Sequence, residues 1–178
     1  MIVEHGENFS FQSVYDSNSV LSRCIMTRTC EIDGDDAQVL LMAFRLFMQH
    51  EACDPVPFAA SRICQLIVTK TDSVTLTMDP HVYGCTAGVI FVNLARLRRI
   101  ARLPNRIAVV LEELFHQYYL IQDEWDVKAL VVRVLSTQFP GITLHGLYPK
   151  MFDAQGKRLP FPSHREEPER SRRASLLR

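Results

Sequence analysis

Apolar side chains recur at helical spacing in two long stretches of the chain. Residues 37–51 carry one apolar stripe and residues 104–137 carry another. Apolar residues three and four positions apart predict amphipathic helices. The second stretch is predicted to break near Gln122-Asp123 and to restart, because Asp123 suits a helix cap and the stripe that follows it is displaced. We therefore expect a helix at 37–51, another at 104–121 and a third beyond Asp123.

Shorter segments rich in Val, Ile, Leu and Thr predict strands. These segments are residues 20–32, 63–70, 73–78 and 88–93. Thr71-Asp72 predicts a tight hairpin between the second and third strands, and Asn93 is expected to cap a short helix over 94–101. The predicted fold class is α+β, with a small mixed β-sheet backed by the 37–51 helix and the 104–121 helix packed on it.

The same pattern predicts one domain with a segment at each end. Residues 1–18 are polar and are expected to form an N-terminal arm with little regular structure. Residues 19–162 form the predicted domain, and a chain of 178 residues is long enough to bury a core. Residues 163–178 are strongly charged and are expected to be a disordered tail, because they hold too few apolar side chains to order themselves.

Charge and cysteine content limit the binding partners and the cellular compartment that we expect. Twenty basic and twenty acidic residues cancel, which argues against nucleic acid and anionic membranes as partners. The arginines between 96 and 106 are expected to form a solvated face that pairs with local acids, with anion binding as the alternative. No apolar run is long enough to span a bilayer. The five cysteines form no CxxC pair and no secretory signal precedes them, so we expect reduced thiols and a cytoplasmic protein.

Candidate chemistry lies on the predicted 104–121 helix. Glu112 and His116 are four residues apart on the side opposite the apolar stripe, with Glu113 beside them. Carboxylates and an imidazole are metal donors, and His81 in a predicted loop is one more. The alternative is that Glu112, Glu113 and His116 form an ordinary solvent-exposed polar face of the helix. Glu113 and His116 also fit half of a di-iron Glu-x-x-His pair, which would need a dimer or further carboxylates.

The order of elements and the sequence Glu113-Leu114-Phe115-His116 resemble the minimal core of the zincin metallopeptidases, in particular the small gluzincin-like group. That family carries HExxH on its active-site helix and a glutamate ligand on the next helix, whereas residues 112–116 here read EExxH. The resemblance implies that His116 is a metal ligand and that Glu113 is the general base. It also implies that Glu124, or its neighbour Asp123, is the later ligand, and Glu112 stands where the family has its first histidine.

The resemblance implies a zincin-like metal-dependent peptidase or a catalytically lapsed relative, acting on a peptide or protein. The implied cofactor is a divalent metal, either zinc or, because the ligand set is rich in carboxylates, iron or manganese. The alternative is a non-enzymatic peptide- or protein-binding domain that uses the groove between the sheet edge and the helix.

A metal site on these residues requires a bend in the chain. On a straight helix Glu124 would lie about 12 Å beyond His116. We therefore predict a turn between Tyr119 and Asp123. We also predict a carboxylate oxygen of residue 123 or 124 within about 5 Å of the His116 ring, near enough for direct or metal-bridged contact.

Overall fold

A computed structural model describes residues 2–10, 19–57, 64–77 and 88–160. Its strands are β1 (Ile2–Val3), β2 (Glu7–Asn8), β3 (Ile25–Arg28), β4 (Cys64–Thr69), β5 (Leu76–Thr77) and β6 (Gly88–Asn93). Its α-helices are α1 (Gly34–Cys53), α2 (Leu94–Leu97), α3 (Leu103–Tyr119), α4 (Glu124–Leu135) and α5 (Leu144–Leu147). The predicted charged tail and the candidate ligand His81 lie outside the described residues.

The strands form two sheets. The larger has the order β2-β3-β4-β6, in which β2 is antiparallel to β3 and the other pairs are parallel. The smaller pairs β1 with β5 in antiparallel fashion. A mixed sheet combined with packed helices confirms the predicted α+β class.

The core lies between one face of the larger sheet and the helices α1, α3 and α4. The sheet contributes alternate residues to it, as expected for strands whose side chains point to opposite faces. These residues are Met26, Cys64, Leu66, Val68, Ile90 and Val92. Strand β4 is buried along its whole length, and β6 forms one edge among the described strands. Helix α3 packs against the edge strand β6, with Gln117 beside Gly88.

Helix α1 starts and ends close to the predicted positions. The Asp33 side chain caps it by accepting a hydrogen bond from the Asp36 backbone N–H at 3.0 Å. Arg98 forms ion pairs with both Asp33 and Asp36, and Arg96 pairs with Asp72 at 2.9 Å. For Arg96 and Arg98 this confirms the prediction that the basic run pairs with local acids.

The prediction of a strand over residues 20–32 is largely wrong. Val20–Arg23 forms a 3-10 helix, and only Ile25–Arg28 is a strand. The Ser19 side chain caps the 3-10 helix, and the Glu51 carboxylate accepts hydrogen bonds from the Ser19 hydroxyl and the Val20 N–H at 2.5 and 2.9 Å. A side chain on α1 thus fixes the start of this segment, which local composition does not reveal.

The predicted hairpin is also wrong. Strand β5 pairs with β1, with Ile2 opposite Thr77, and not with β4. Residues 2–10 accordingly contribute two short strands where an arm with little regular structure was expected. Helix α2 is shorter than the predicted 94–101, although Asn93 caps it as expected, with Oδ1 accepting from the Arg96 N–H at 3.1 Å.

Candidate functional site

The chain bends between α3 and α4, as predicted. Helix α3 ends at Tyr119, and Leu120 takes the left-handed conformation with φ of 55°. Asp123 then caps α4, its Oδ1 accepting from the backbone N–H groups of Trp125 and Asp126 at 2.8 and 3.0 Å. The Asp123 side chain is therefore engaged in starting α4.

The bend turns Glu124 back toward His116. Its Oε1 lies 3.5 Å from His116 Nε2, which confirms the predicted approach. His116 Nδ1 donates a hydrogen bond to the Ile121 carbonyl oxygen at 2.5 Å. That bond fixes the ring and directs Nε2 at Glu124. Metal-binding histidines are commonly oriented in this way by a backbone carbonyl.

A lysine lies between the two carboxylates to which the resemblance assigns a metal. Lys128 Nζ is 2.8 Å from Glu112 Oε2 and 2.5 Å from Glu124 Oε2. The other oxygen of Glu112 accepts a hydrogen bond from the Tyr148 hydroxyl at 2.7 Å. We call these five residues, Glu112, His116, Glu124, Lys128 and Tyr148, the Lys128 cluster.

Sequence reasoning missed Lys128 and Tyr148. A signal for Lys128 was present, because Glu124 and Lys128 are spaced as an i, i+4 ion pair on one helix. Its contact with Glu112 spans the bend and follows only from the fold. Tyr148 comes from the segment after α5, and no local pattern connects it to Glu112.

The centre of the cluster is screened from water, and its opposite charges stabilise one another. The Lys128 side chain is 9% exposed and that of Glu112 is 15% exposed. Burial disfavours the charged ammonium, but hydrogen bonds and charge from Glu112 and Glu124 outweigh burial and raise the pKa of Lys128 above its usual value. Lys128 is therefore a protonated cation at neutral pH. Burial and the Glu112 carboxylate raise the pKa of Tyr148, which keeps its hydroxyl a hydrogen-bond donor.

Glu113 differs from its neighbours. Its side chain is exposed, and it makes no hydrogen bond or ion pair with any residue in the described ranges. Crowding around the carboxyl group nevertheless raises its pKa, chiefly by desolvation. His116 lowers that pKa, and Glu112 and Glu124 raise it further. This carboxylate, which the resemblance makes the base, is free to exchange a proton with solvent.

The donor set does not fit a divalent metal while Lys128 stays in place. In the part of the chain that the structure describes, no group of three or more His, Cys, Asp and Glu residues is arranged to hold a metal ion. Glu112 and Glu124 each give an oxygen to the Lys128 ammonium, and Glu112 gives its second oxygen to Tyr148. A metal would have to displace a lysine that is tethered beside both ligands.

Helix α3 lies against the start of β6. A Cβ at Gly88 would lie 2.0 Å from the Gln117 amide nitrogen, so a side chain there would require the Gln117 side chain to move. Further along the strand, Phe91 is 47% exposed.

The segment after α4 closes over the start of that helix. The Arg158 guanidinium lies over the Trp125 ring at 4.7 Å, and Phe152 contacts the same ring edge to face at 5.5 Å. The Asn105 amide donates to the Leu147 carbonyl oxygen at 2.9 Å. These contacts hold the segment that delivers the Tyr148 hydroxyl to Glu112.

Comparison of the chain with family models, curated proteins and solved structures found no significant match. The zincin resemblance thus stays a prediction that rests on residues 112–124 and on the order of elements. Of the helices in the described ranges, none combines the length and the apolar character needed to cross a bilayer.

Proposed function

We propose that this chain is a catalytically lapsed relative of the zincin-like metallopeptidases, in which the Lys128 ammonium takes the place of the metal ion. The observation that carries the proposal is the position of Lys128 Nζ, 2.8 Å from Glu112 and 2.5 Å from Glu124. Those two carboxylates are among the residues to which the resemblance assigns the metal.

Charge balance supports the proposal. Two ionised carboxylates need a nearby cation, because burying like charges together is unfavourable. Lys128 supplies that cation from within the chain, and Tyr148 satisfies the remaining Glu112 oxygen. The orientation of His116 by the Ile121 carbonyl oxygen is the feature that still resembles a metal ligand.

The chemistry of the cluster follows from this substitution. A zincin activates water and polarises a peptide carbonyl through its metal ion. An ammonium can donate hydrogen bonds, but it has no open coordination position for water. Glu113 could still accept a proton, yet the cluster offers it no activated water. The residues present thus support binding rather than peptide hydrolysis.

Metal binding in the full chain tests the proposal. The variants are Lys128→Ala and the double variant Glu112→His with Lys128→Ala, which removes the internal cation and restores the family motif. We expect the unaltered chain to bind no stoichiometric zinc and to melt at the same temperature with or without chelator. The double variant should bind one zinc ion and melt at a higher temperature with zinc, because a ligand that binds only the native state stabilises it.

The exposed lysine variant Lys150→Ala is the matched control and should behave like the unaltered chain. A divalent ion that copurifies at one per chain with the unaltered protein, and whose removal lowers the melting temperature, would contradict the proposal. Failure of the folded double variant to bind zinc would show that residues 112–124 do not form a zincin ligand set.

Peptide binding along β6 is a second candidate, favoured by the exposed Phe91 on a strand that is at the sheet edge among those described. Extended peptides can add to a sheet edge through backbone hydrogen bonds. A library of fluorescent unstructured peptides would test it, with Phe91→Asp expected to abolish binding and Val109→Asp, on the exposed face of α3, expected to leave it unchanged. Equal binding by both variants would exclude this surface.

A further inference from the structure

Two cysteines face each other at the start of neighbouring strands. Strands β3 and β4 are parallel with Ile25 opposite Gln65, so Cys24 lies opposite Cys64. Adjacent strands are about 4.8 Å apart, and disulfides form between Cα atoms that are about 4.4–6.8 Å apart. Both residues are free thiols, and their side chains are hydrogen-bonded to each other. The backbone thus places the pair within bridging range.

The two thiols differ in access and acidity. Cys24 is partly exposed, whereas Cys64 is fully buried. The hydrogen bond from Cys64 lowers the pKa of the Cys24 thiol, and the Tyr118 hydroxyl and the Leu66 backbone N–H add to this against the opposing effect of burial. The same hydrogen bond and burial raise the pKa of Cys64. Cys24 is therefore the more acidic and more accessible thiol of the pair, and Cys64 is the less acidic, buried one.

Tyr118 is the third member of this group. It is fully buried on α3, and its hydroxyl has no nitrogen or oxygen partner in the described parts of the chain. A buried polar group without such a partner is rare and calls for an explanation. The neighbouring thiols are the groups on which this hydroxyl acts, because Tyr118 lowers the pKa of both Cys24 and Cys64.

We propose that Cys24 and Cys64 form an oxidation site that converts to a disulfide when the protein meets a hydroperoxide. The Cys24 thiolate attacks one oxygen of hydrogen peroxide, the O–O bond breaks, and hydroxide leaves and takes a proton to become water. Sulfur loses two electrons in this step and becomes a sulfenic acid. The Cys64 sulfur then attacks the Cys24 sulfur, the S–O bond breaks, and the departing hydroxide takes the Cys64 proton. The sum is two thiols and one peroxide giving one disulfide and two waters.

This site is independent of the function proposed above, because it uses two strand residues and the buried side of α3 and shares no residue with the Lys128 cluster. Cys30 and Cys53 are free thiols elsewhere in the fold, and Cys85 lies outside the described residues. Replacing these three with serine leaves the full chain with only the facing pair. That variant is the reference protein for the test.

The test is treatment of the reference protein with hydrogen peroxide at neutral pH, followed by intact mass and thiol counting. We expect the loss of two hydrogens and of both thiols in a monomer, and recovery of both thiols with dithiothreitol. Adding Cys64→Ser should stop the reaction at a Cys24 sulfenic acid that dimedone traps. Adding Cys24→Ser should leave Cys64 reduced. Peptide mapping of the unaltered chain should show the same cross-link, which covers the case in which a serine variant does not fold.

Tyr118→Phe tests the role of the hydroxyl. It removes one oxygen that has no nitrogen or oxygen partner, so the fold should be retained. Oxidation of Cys24 at neutral pH should slow several-fold, because the thiolate fraction falls as the pKa of Cys24 rises toward that of an ordinary thiol. An unchanged rate would remove Tyr118 from the site. Unreacted thiols, a disulfide between two chains, or a Cys24 sulfinic acid beside a free Cys64 in the reference protein would overturn the proposal.

Discussion

Lys128 is the side chain that decides what the candidate site can do. It carries a buried positive charge between two carboxylates on different helices. The pKa of Lys128 is raised in the folded state. Its stabilising contribution is therefore complete at neutral pH, and it is lost only as the pH rises through that raised pKa.

Replacing Lys128 with methionine should destabilise the protein by about 3 kcal/mol, because it leaves Glu112 and Glu124 as unpaired, partly buried charges. Urea unfolding at neutral pH measures the change in the free energy of unfolding. The same replacement at the exposed Lys150 should change it by less than about 0.5 kcal/mol. Similar small losses at both positions would mean that the ammonium does not hold the two carboxylates together.

Ionised Glu113, unlike protonated Lys128, should destabilise the folded state, and by a smaller amount. Its pKa is raised in the folded state, chiefly by desolvation, so folding favours the protonated form. The native state therefore loses stability as the pH rises from below 4.5 through the raised pKa. Glu113→Gln should remove that loss, making the variant relatively more stable at pH about 7 than at pH about 4 when compared with the unaltered chain. Urea unfolding at both values measures it, and a constant difference, like that of the exposed control Glu31→Gln, would contradict the assignment.

The break between α3 and α4 is the element that assembles the Lys128 cluster. It was predicted from Asp123 as a cap and from the displaced apolar stripe, both of which are local signals. The partners of Glu112 could not be predicted in the same way, since Lys128 and Tyr148 reach it only after the chain has turned twice. The local sequence thus predicts the break between α3 and α4. Only the packing of α4 and α5 shows that Lys128 and Tyr148 contact Glu112.

Asp123→Ala should cost about 1 kcal/mol, because it removes the acceptor for two backbone N–H groups of α4. Asp123→Asn should retain most of the stability, since asparagine caps helices about as well. Chemical denaturation of both variants measures the difference. Equal losses would show that the charge of Asp123, and not its capping hydrogen bonds, stabilises the start of α4.

Between α1 and α3 lies a histidine, His50, whose protonation the folded state disfavours. The His50 ring lies 5.4 Å from the rings of both Phe115 and Tyr119, and its Nε2 has no hydrogen-bond partner in the described ranges. Burial lowers the pKa of His50, Asp54 opposes that effect and Arg133 adds to it. Neutral His50 is therefore the form that the packed helices favour.

Stability should fall as the pH drops below 6.5, because the unfolded chain then binds a proton that folded His50 resists. His50→Phe should reduce this loss of stability at low pH, whereas His145→Gln on the exposed surface should not. Melting temperatures at pH about 5.5 and about 7.5 measure the effect. An unaltered pH dependence in His50→Phe would place the titrating group elsewhere.

At the scale of the whole molecule, the long helices and the six-residue strands were predictable, and the two-residue strands were not. Helix α1 and strands β4 and β6 appear where their apolar patterns placed them. Strand β5 has two residues and pairs with the N-terminal strand β1, a contact between distant parts of the chain. A strand of two residues is too short to show an alternating apolar pattern. Its pairing partner is therefore set by tertiary packing and cannot be predicted from the local sequence. The α+β class was nevertheless predicted correctly, because it depends on the longer helices and strands that form the core.

One cluster of aromatic rings joins α1 to α3 in that core. Phe47 is fully buried, and its ring centroid lies 5.5 Å from those of Phe115 and Tyr118 and 6.0 Å from that of Tyr119. Phe47→Ala should lower the free energy of unfolding by about 4 kcal/mol, because it removes apolar contact area and leaves a cavity among three aromatic rings. Val109→Ala, on the exposed side of α3, should change it by less than about 0.5 kcal/mol. Urea unfolding followed by tryptophan fluorescence measures both, since Trp125 lies in the adjoining α4. A loss below about 1 kcal/mol for Phe47→Ala would mean that the two helices do not pack through this ring cluster.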